Sequence, residues 1–154
     1  VDNAKFTPYV LETSIGLDRM FLAVFSSSLI TENLDDNTHR VLLKIPNILA
    51  PYKIAFLPLI KKDGLPEIAK EIQEKLKLKF NTIYDEKDAV GRRYRRQDAI
   101  GTPYCVTVDH QTLEDNSVTI RHRDTMKQER ISIDKLEKFL SSSLDINNWL
   151  LNSA

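Results

Sequence analysis

A mixed, largely parallel five-stranded sheet flanked by helices is the α/β fold that this sequence predicts for most of its length. Two patterns carry that prediction. Between Lys53 and Asp109, extended apolar runs alternate with helically spaced apolar residues, as strand–helix–strand units require. After Asn116, the runs Ser117–Arg123 and Gln128–Ile133 alternate apolar with polar side chains, as the half-buried strands of a hairpin do.

The elements follow in order. Tyr9-Val10-Leu11 is a short extended run, and Glu12 to Arg19 turns it into a helix from about Gly16 to Ser28. That helix carries Leu17, Met20, Phe21, Leu22, Val24 and Phe25, so it is apolar on several sides and calls for burial on several sides. A larger domain on its N-terminal side is the expected cover; a helix seated within a complete small fold is the alternative. Thr31 to Thr38 is polar and reads as a surface loop. Val41 to Ile45 is extended, and Pro46 to Pro51 reads as a connection, dividing the chain into units 1–50 and 51–154. Lys53–Ile60 is a buried strand, and Leu65, Ile68, Ala69, Ile72 and Leu76 have the spacing of a one-faced helix. A strand at Phe80–Tyr84, a helix through Gly91–Ala99 and a strand at Tyr104–Asp109 precede the hairpin. A helix from about Asp134 to Ser141 follows it, and Trp149-Leu150-Leu151 predicts a packed terminal segment.

Composition excludes more than it selects. With 42% hydrophobic and 29% charged residues among 154, the chain is an ordinary globular one rather than a disordered one. Lys plus Arg and Asp plus Glu both total 22, so overall charge favours no class of partner. Residues 91–130 hold eight Lys or Arg against six Asp or Glu, a faint basic bias. Cys105 is alone, which excludes a disulfide framework within the chain and fits a small buried hydrophobe. His110 and His122 lack the spacing of metal ligands, and no metal site is expected. Apolar runs are too short to cross a bilayer, and no secretory leader is visible, so a cytoplasmic setting is the default expectation.

Two constellations carry chemistry. Between Glu12 and Arg19 a carboxylate, a hydroxyl, a glycine and an arginine stand together at the start of a helix. Glycine permits close approach of backbone, a helix N-terminus attracts anions, and arginine offers a planar fork to phosphate. Glu12 and Ser14 point the same way in an extended segment and suit an ammonium group. The plainer reading makes Ser14 an N-cap and Asp18–Arg19 a solvated pair. In the second constellation Arg92, Arg95 and Arg96 share one helix face, while Arg121 and Arg123 share one strand face. Arginines so placed suit phosphates and base edges of single-stranded RNA; alternatively Arg92, Arg95, Arg121 and Arg123 pair with Asp85, Glu86, Asp98 and Asp124 in a surface ion network.

The Glu12–Arg19 segment resembles motif 3 of the class II aminoacyl-tRNA synthetases, in the form found in the dimeric glycyl-tRNA synthetase family. Ala50–Ala55, Leu57–Leu59, Gly91–Asp98, Ile100–Pro103 and Val118–Met126 resemble the anticodon-binding domain of the same family, and the likeness runs from Pro8 to about Leu140. The resemblance implies that Glu12 and Ser14, with Thr13, Ile15 and Gly16, hold glycine. It also implies that Gly16, Leu17, Asp18 and Arg19 bind ATP, with Arg19 as the catalytic residue and Mg2+ as the counter-ion of ATP. Thr13 stands where the glycyl branch commonly has proline, and Asp18 where class II enzymes more generally have glutamate. Arg92, Arg95, Arg96, Arg121, Arg123 and Asp124 are the implied contacts to the anticodon of tRNA(Gly). A cytoplasmic homodimer is implied for the whole ligase. Motifs 1 and 2 have no counterpart here, so these 154 residues alone are expected to be inactive. The alternative is a non-catalytic nucleic-acid-binding module, such as the accessory subunit of a mitochondrial DNA polymerase. A flavodoxin-like domain lacks support, because no phosphate loop is present.

Overall fold

A computed structural model of the chain describes residues 5, 7–34 and 38–152. Residues 7–16 form no regular element, and Tyr9, Val10 and Leu11 are exposed; among the described residues no strand pairs with the expected first strand. Helix α1, Leu17–Ser28, follows, and none of its residues is fully buried. Its Val24 leans on Leu43 and Ile45, leaving an open apolar groove of about 490 Å³ beside Phe21 and Phe25.

Strands β1, Leu29–Asn33, and β2, His39–Leu43, pair antiparallel with Leu29 opposite Leu43 and Asn33 opposite His39. Thr31–Asn33 therefore belongs to a strand rather than the expected loop: β2 supplies the backbone partners that a polar run cannot advertise in sequence. Asp35 to Asn37, the middle of that expected loop, lie outside the described residues. A 3-10 turn at Asn47–Leu49 makes the connection expected before Pro51. Lys53 closes it by donating its Nζ protons to the carbonyls of Ile48 and Ala50 at 2.6 and 2.8 Å. Burial holds the Lys53 ammonium below its usual pKa.

The larger sheet begins with β3, Ile54–Pro58, buried at all five positions. Then come α2, Leu65–Leu76; β4, Thr82–Tyr84; α3, Val90–Ile100; and β5, Tyr104–Val108. A short helix α4, His110–Asp115, was not legible as periodicity. It is nucleated by a capping box in which Asp109 accepts from the Thr112 N–H and Thr112 Oγ1 accepts from the Asp109 N–H, both at 3.1 Å. Strands β6, Ser117–His122, and β7, Gln128–Ser132, form the expected hairpin, followed by α5, Ile133–Ser143, and α6, Ile146–Asn152. The strand order is β4-β3-β5-β6-β7. The β3–β4 and β3–β5 pairings are parallel and the other two antiparallel, so the parallel share is a half, smaller than expected.

One face of this sheet, with Ile54, Phe56, Val106, Val118 and Ile120, packs on Leu65, Ala69 and Ile72 of α2 and Leu136 and Leu140 of α5. The opposite face, with Ala55, Leu57 and Cys105, packs on Tyr94 of α3. Burial pushes the Cys105 thiol up to about 12, as befits a small hydrophobe. Leu150 and Leu151 of the terminal segment are exposed rather than packed. No described helix is long and apolar enough to cross a membrane.

The β1–β2 hairpin packs along α3. Gly101 ends α3 at φ +82°, a left-handed conformation in which a Cβ would stand 3.0 Å from the Leu43 carbonyl oxygen. Both backbone and clearance therefore exclude a side chain. Gly101→Ala is expected to lower unfolding stability by more than about 1 kcal/mol, read from urea denaturation. Unchanged stability would show that β2 can move away from α3 freely.

Candidate nucleic-acid interface

The arginine-bearing helix α3 is held at its start by its own side chains. The loop before it turns at Asp88, which adopts φ +66°. Arg93 points inward: its Nε and Nη2 donate to the Asp88 carbonyl at 2.9 and 2.6 Å, and Nη1 donates to the Pro58 carbonyl. Arg96 crosses the loop from outside. Its Nη2 donates to Asp85 at 2.8 Å and its Nη1 to Asp88 at 2.8 Å. Hydrogen bonding to Arg96 holds the Asp88 carboxyl below its usual range, and the two aspartates raise Arg96.

Arg92 and Arg95 behave differently. Both are exposed, and neither side chain makes a hydrogen bond or close ion pair among the described residues. They rim an open depression of about 480 Å³ whose other walls include Tyr94, Arg121 and Met126. The Tyr94 hydroxyl is 2.7 Å from Thr107 Oγ1, which fixes the ring, and Arg121 Cζ lies 4.8 Å from the ring centroid. That geometry is a cation–π contact. Burial raises the Tyr94 pKa, so the ring stays neutral.

Below this floor sits Asp98, wholly buried. Arg121 grips it with a fork, Nη1 to Oδ1 at 2.8 Å and Nη2 to Oδ2 at 3.0 Å. Arg40 of β2, also buried, donates Nη1 to Oδ2 at 3.1 Å and Nε to Glu32 at 2.7 Å. Burial opposes the charge of Arg121, yet its bonds to Asp98 more than compensate and its pKa rises. Arg123 donates Nη1 to the Gly101 carbonyl at 2.8 Å, Nη2 to the Ile45 carbonyl at 2.9 Å and Nε to Asp124 at 2.7 Å.

Arg121 and Arg123 do share a strand face, but α3 and the hairpin cover that face, so it is not an open sheet edge. The ion network of the alternative reading exists in part, as Arg121–Asp98 and Arg123–Asp124, both with buried rather than superficial arginines, while Asp85 pairs with Arg96 instead. Arg92 and Arg95 stand outside it. Sequence reasoning missed Arg40 and the inward roles of Arg93 and Tyr94. A signal for Arg40 existed: it shares the strand parity of Leu42, an inward position.

The other constellation lies ahead of and within α1. Glu12, Thr13, Ser14, Ile15, Gly16, Leu17, Asp18 and Arg19 are all exposed. Gly16, not Ser14, occupies the N-cap position and no side chain caps the helix; Asp18 and Arg19 form no ion pair with each other. A Cβ on Gly16 would meet only the Arg19 side chain, at 3.7 Å, so the fold itself does not require glycine there.

Residues 53–143 match the family model described as an anticodon binding domain. The chain belongs to the anticodon-binding domain family. It is 49% identical over 144 residues to the glycine–tRNA ligase of Alkaliphilus metalliredigens, covering 94% of this chain and 31% of that one. It is 44% identical over 144 residues to the glycine–tRNA ligase of Borrelia hermsii, covering 94% of this chain and 32% of that one. The chain thus spans about a third of the length of the curated relatives it matches. Among solved structures, the RNA binding domain of threonyl-tRNA synthetase from Cryptosporidium parvum superposes with a TM-score of 0.59 at 25% identity, covering 65% of this chain and 25% of that one. Prolyl-tRNA synthetase from the same organism gives 0.59 at 22% identity over 73% of this chain and 25% of its own, a likeness of fold alone. The anticodon-binding domain therefore contains β3 to α5, with the depression inside it, whereas Arg40 reaches Asp98 from ahead of the matched stretch.

Proposed function

We propose that this anticodon-binding domain holds the anticodon loop of tRNA(Gly) for a glycine–tRNA ligase. The observation that carries the reading is the pair Arg92 and Arg95, two exposed guanidinium groups with no protein acceptor among the described residues, at the rim of a depression floored by Tyr94. Single-stranded loops present phosphates and splayed bases, which arginine and aromatic surfaces receive. Glycine anticodons share cytosine at their second and third positions, and cytosine offers an amino group that a carboxylate can accept. Asp124, 39% exposed at its side chain, is such a carboxylate at the turn after β6. Arg96 and Arg123, already committed to aspartates and carbonyls, hold the frame that presents these groups.

In the same reading, Glu12, Thr13, Ser14, Ile15 and Gly16 hold glycine, and Gly16, Leu17, Asp18 and Arg19 hold ATP with its Mg2+, in a ligase that activates glycine and transfers it to tRNA. The ligase works as a homodimer in the cytoplasm, and the apolar side of α1 packs on its larger catalytic portion. A non-catalytic nucleic-acid module has no use for Glu12, Ser14 and Arg19 together. Because motifs 1 and 2 are supplied elsewhere in such a ligase, these 154 residues carry out no adenylate formation alone.

The test of RNA binding uses stem-loop RNAs that differ only in the anticodon. Arg92→Ala and Arg95→Ala should weaken all of them alike and reduce the salt slope by about 0.7 per lost phosphate contact. Asp124→Ala should cost about 1–3 kcal/mol of discrimination for glycine anticodons. Wild-type affinity and salt slope in both arginine variants would overturn the reading. For the ATP site, Arg19→Ala in a full-length ligase should slow adenylate formation roughly 100- to 1000-fold while leaving tRNA affinity unchanged. Loss of both together would indicate misfolding.

A further inference from the structure

We infer that Arg40 is a positioning residue that makes Arg121 available to bound RNA and transmits RNA binding to the β1–β2 hairpin. The inference rests on the RNA-binding reading above. Three features carry it. Arg121 lines the depression, yet both its terminal nitrogens are held by the Asp98 carboxylate at 2.8 and 3.0 Å. A buried carboxylate cannot lose its partner without a large penalty, so a lone Arg121–Asp98 pair would keep Arg121 out of any contact with RNA. Asp98, however, has a second arginine: Arg40 reaches it from β2 at 3.1 Å, while itself only 2% exposed.

That second partner changes the balance. When a phosphate or base in the depression draws Arg121 toward it, Asp98 stays compensated by Arg40, and the Arg40–Asp98 contact tightens. The same guanidinium is anchored on Glu32 of β1 at 2.7 Å and on the Arg123 carbonyl at 2.9 Å, so tightening it firms the hairpin against α3. Coupling of this kind is reciprocal: whatever RNA does to the hairpin, the hairpin does to RNA affinity. Arg40 touches no RNA. It acts through Asp98, and it lies outside the residues matched by the family model.

The experiment measures two quantities on this chain: affinity for a stem-loop RNA carrying a glycine anticodon, and amide hydrogen exchange at Val41 and Leu42 with and without saturating RNA. In the wild type, RNA should slow hairpin exchange by about tenfold, within the usual range of site-to-site coupling. In Arg40→Met, RNA affinity should fall by a similar factor, and saturating RNA should leave hairpin exchange unchanged. A purely structural role for Arg40 would raise exchange in the free protein but leave the RNA-dependent step intact. RNA that binds the wild type without altering hairpin exchange overturns the coupling and leaves the RNA-binding reading standing. Absence of RNA binding by the wild type sinks that reading and this inference together. Should Arg40→Met fail to fold, Arg40→Lys decides: a single ammonium point does not reproduce the fork that reaches Glu32 from Nε and Asp98 and the Arg123 carbonyl from Nη1, so retention of the full RNA effect contradicts the inference.

Discussion

One buried carboxylate organises this molecule. Asp98 has no solvent exposure, and an uncompensated charge at such a depth costs several kcal/mol. It is compensated from two directions, by Arg121 of the central sheet and by Arg40 of the N-terminal hairpin. Helix α3, which carries Asp98, is thereby held to β6 below it and to β2 beside it. Replacing such a cluster by apolar residues can be neutral for stability, whereas removing one member is not. The cluster therefore specifies arrangement: where α3 lies, which of its faces points outward, and how closely the hairpin approaches at Gly101.

From that arrangement comes a division of labour among arginines. Arg93 and Arg96 fold the loop that starts α3, and Arg123 joins the end of α3 to the linker through the Gly101 and Ile45 carbonyls. These side chains resemble backbone in what they do, saturating carbonyls that no strand or helix satisfies. Arg92 and Arg95 remain over for a ligand. Tyr94 belongs to both groups, since its hydroxyl is tied to Thr107 while its ring faces Arg121 at the depression. An anticodon-binding domain built this way presents the guanidinium groups of Arg92 and Arg95 on a base tied by buried ion pairs.

Much of the fold was legible because the decisive patterns are local. The spacing of Leu65, Ala69, Ile72 and Leu76, the apolar run at Ile54–Leu57 and the alternation at Val118–Ile120 name their elements without any partner in view. Thr31–Asn33 was not legible as a strand, since its pairing with Val41–His39 lies in backbone and leaves no apolar trace. Helix α4 was too short to show periodicity and depends on a cap rather than on a stripe. Leu150 and Leu151 misled in the opposite direction, being apolar yet exposed. At the site, sequence named the arginines but could not sort them. Spacing along α3 groups Arg92, Arg95 and Arg96 on one face, and only the position of Asp85 and Asp88 across the loop separates Arg96 from the other two. Arg121 and Arg123 look solvated by alternation alone, because the helix and hairpin that cover them come from far away in the chain, as the Arg121–Asp98 and Arg40–Arg123 contacts illustrate at separations of 23 and 83.

The arrangement depends most on the shared carboxylate, and a double-mutant cycle between Arg40 and Asp98 probes it directly. Unfolding free energies of the wild type, Arg40→Met, Asp98→Asn and the double variant give the interaction between the two side chains. The predicted coupling lies between about 1 and 3 kcal/mol, as for contacting members of a buried network. A coupling indistinguishable from zero would mean that Arg40 and Asp98 are neighbours without being partners, and that the hairpin is held to α3 by apolar contact alone.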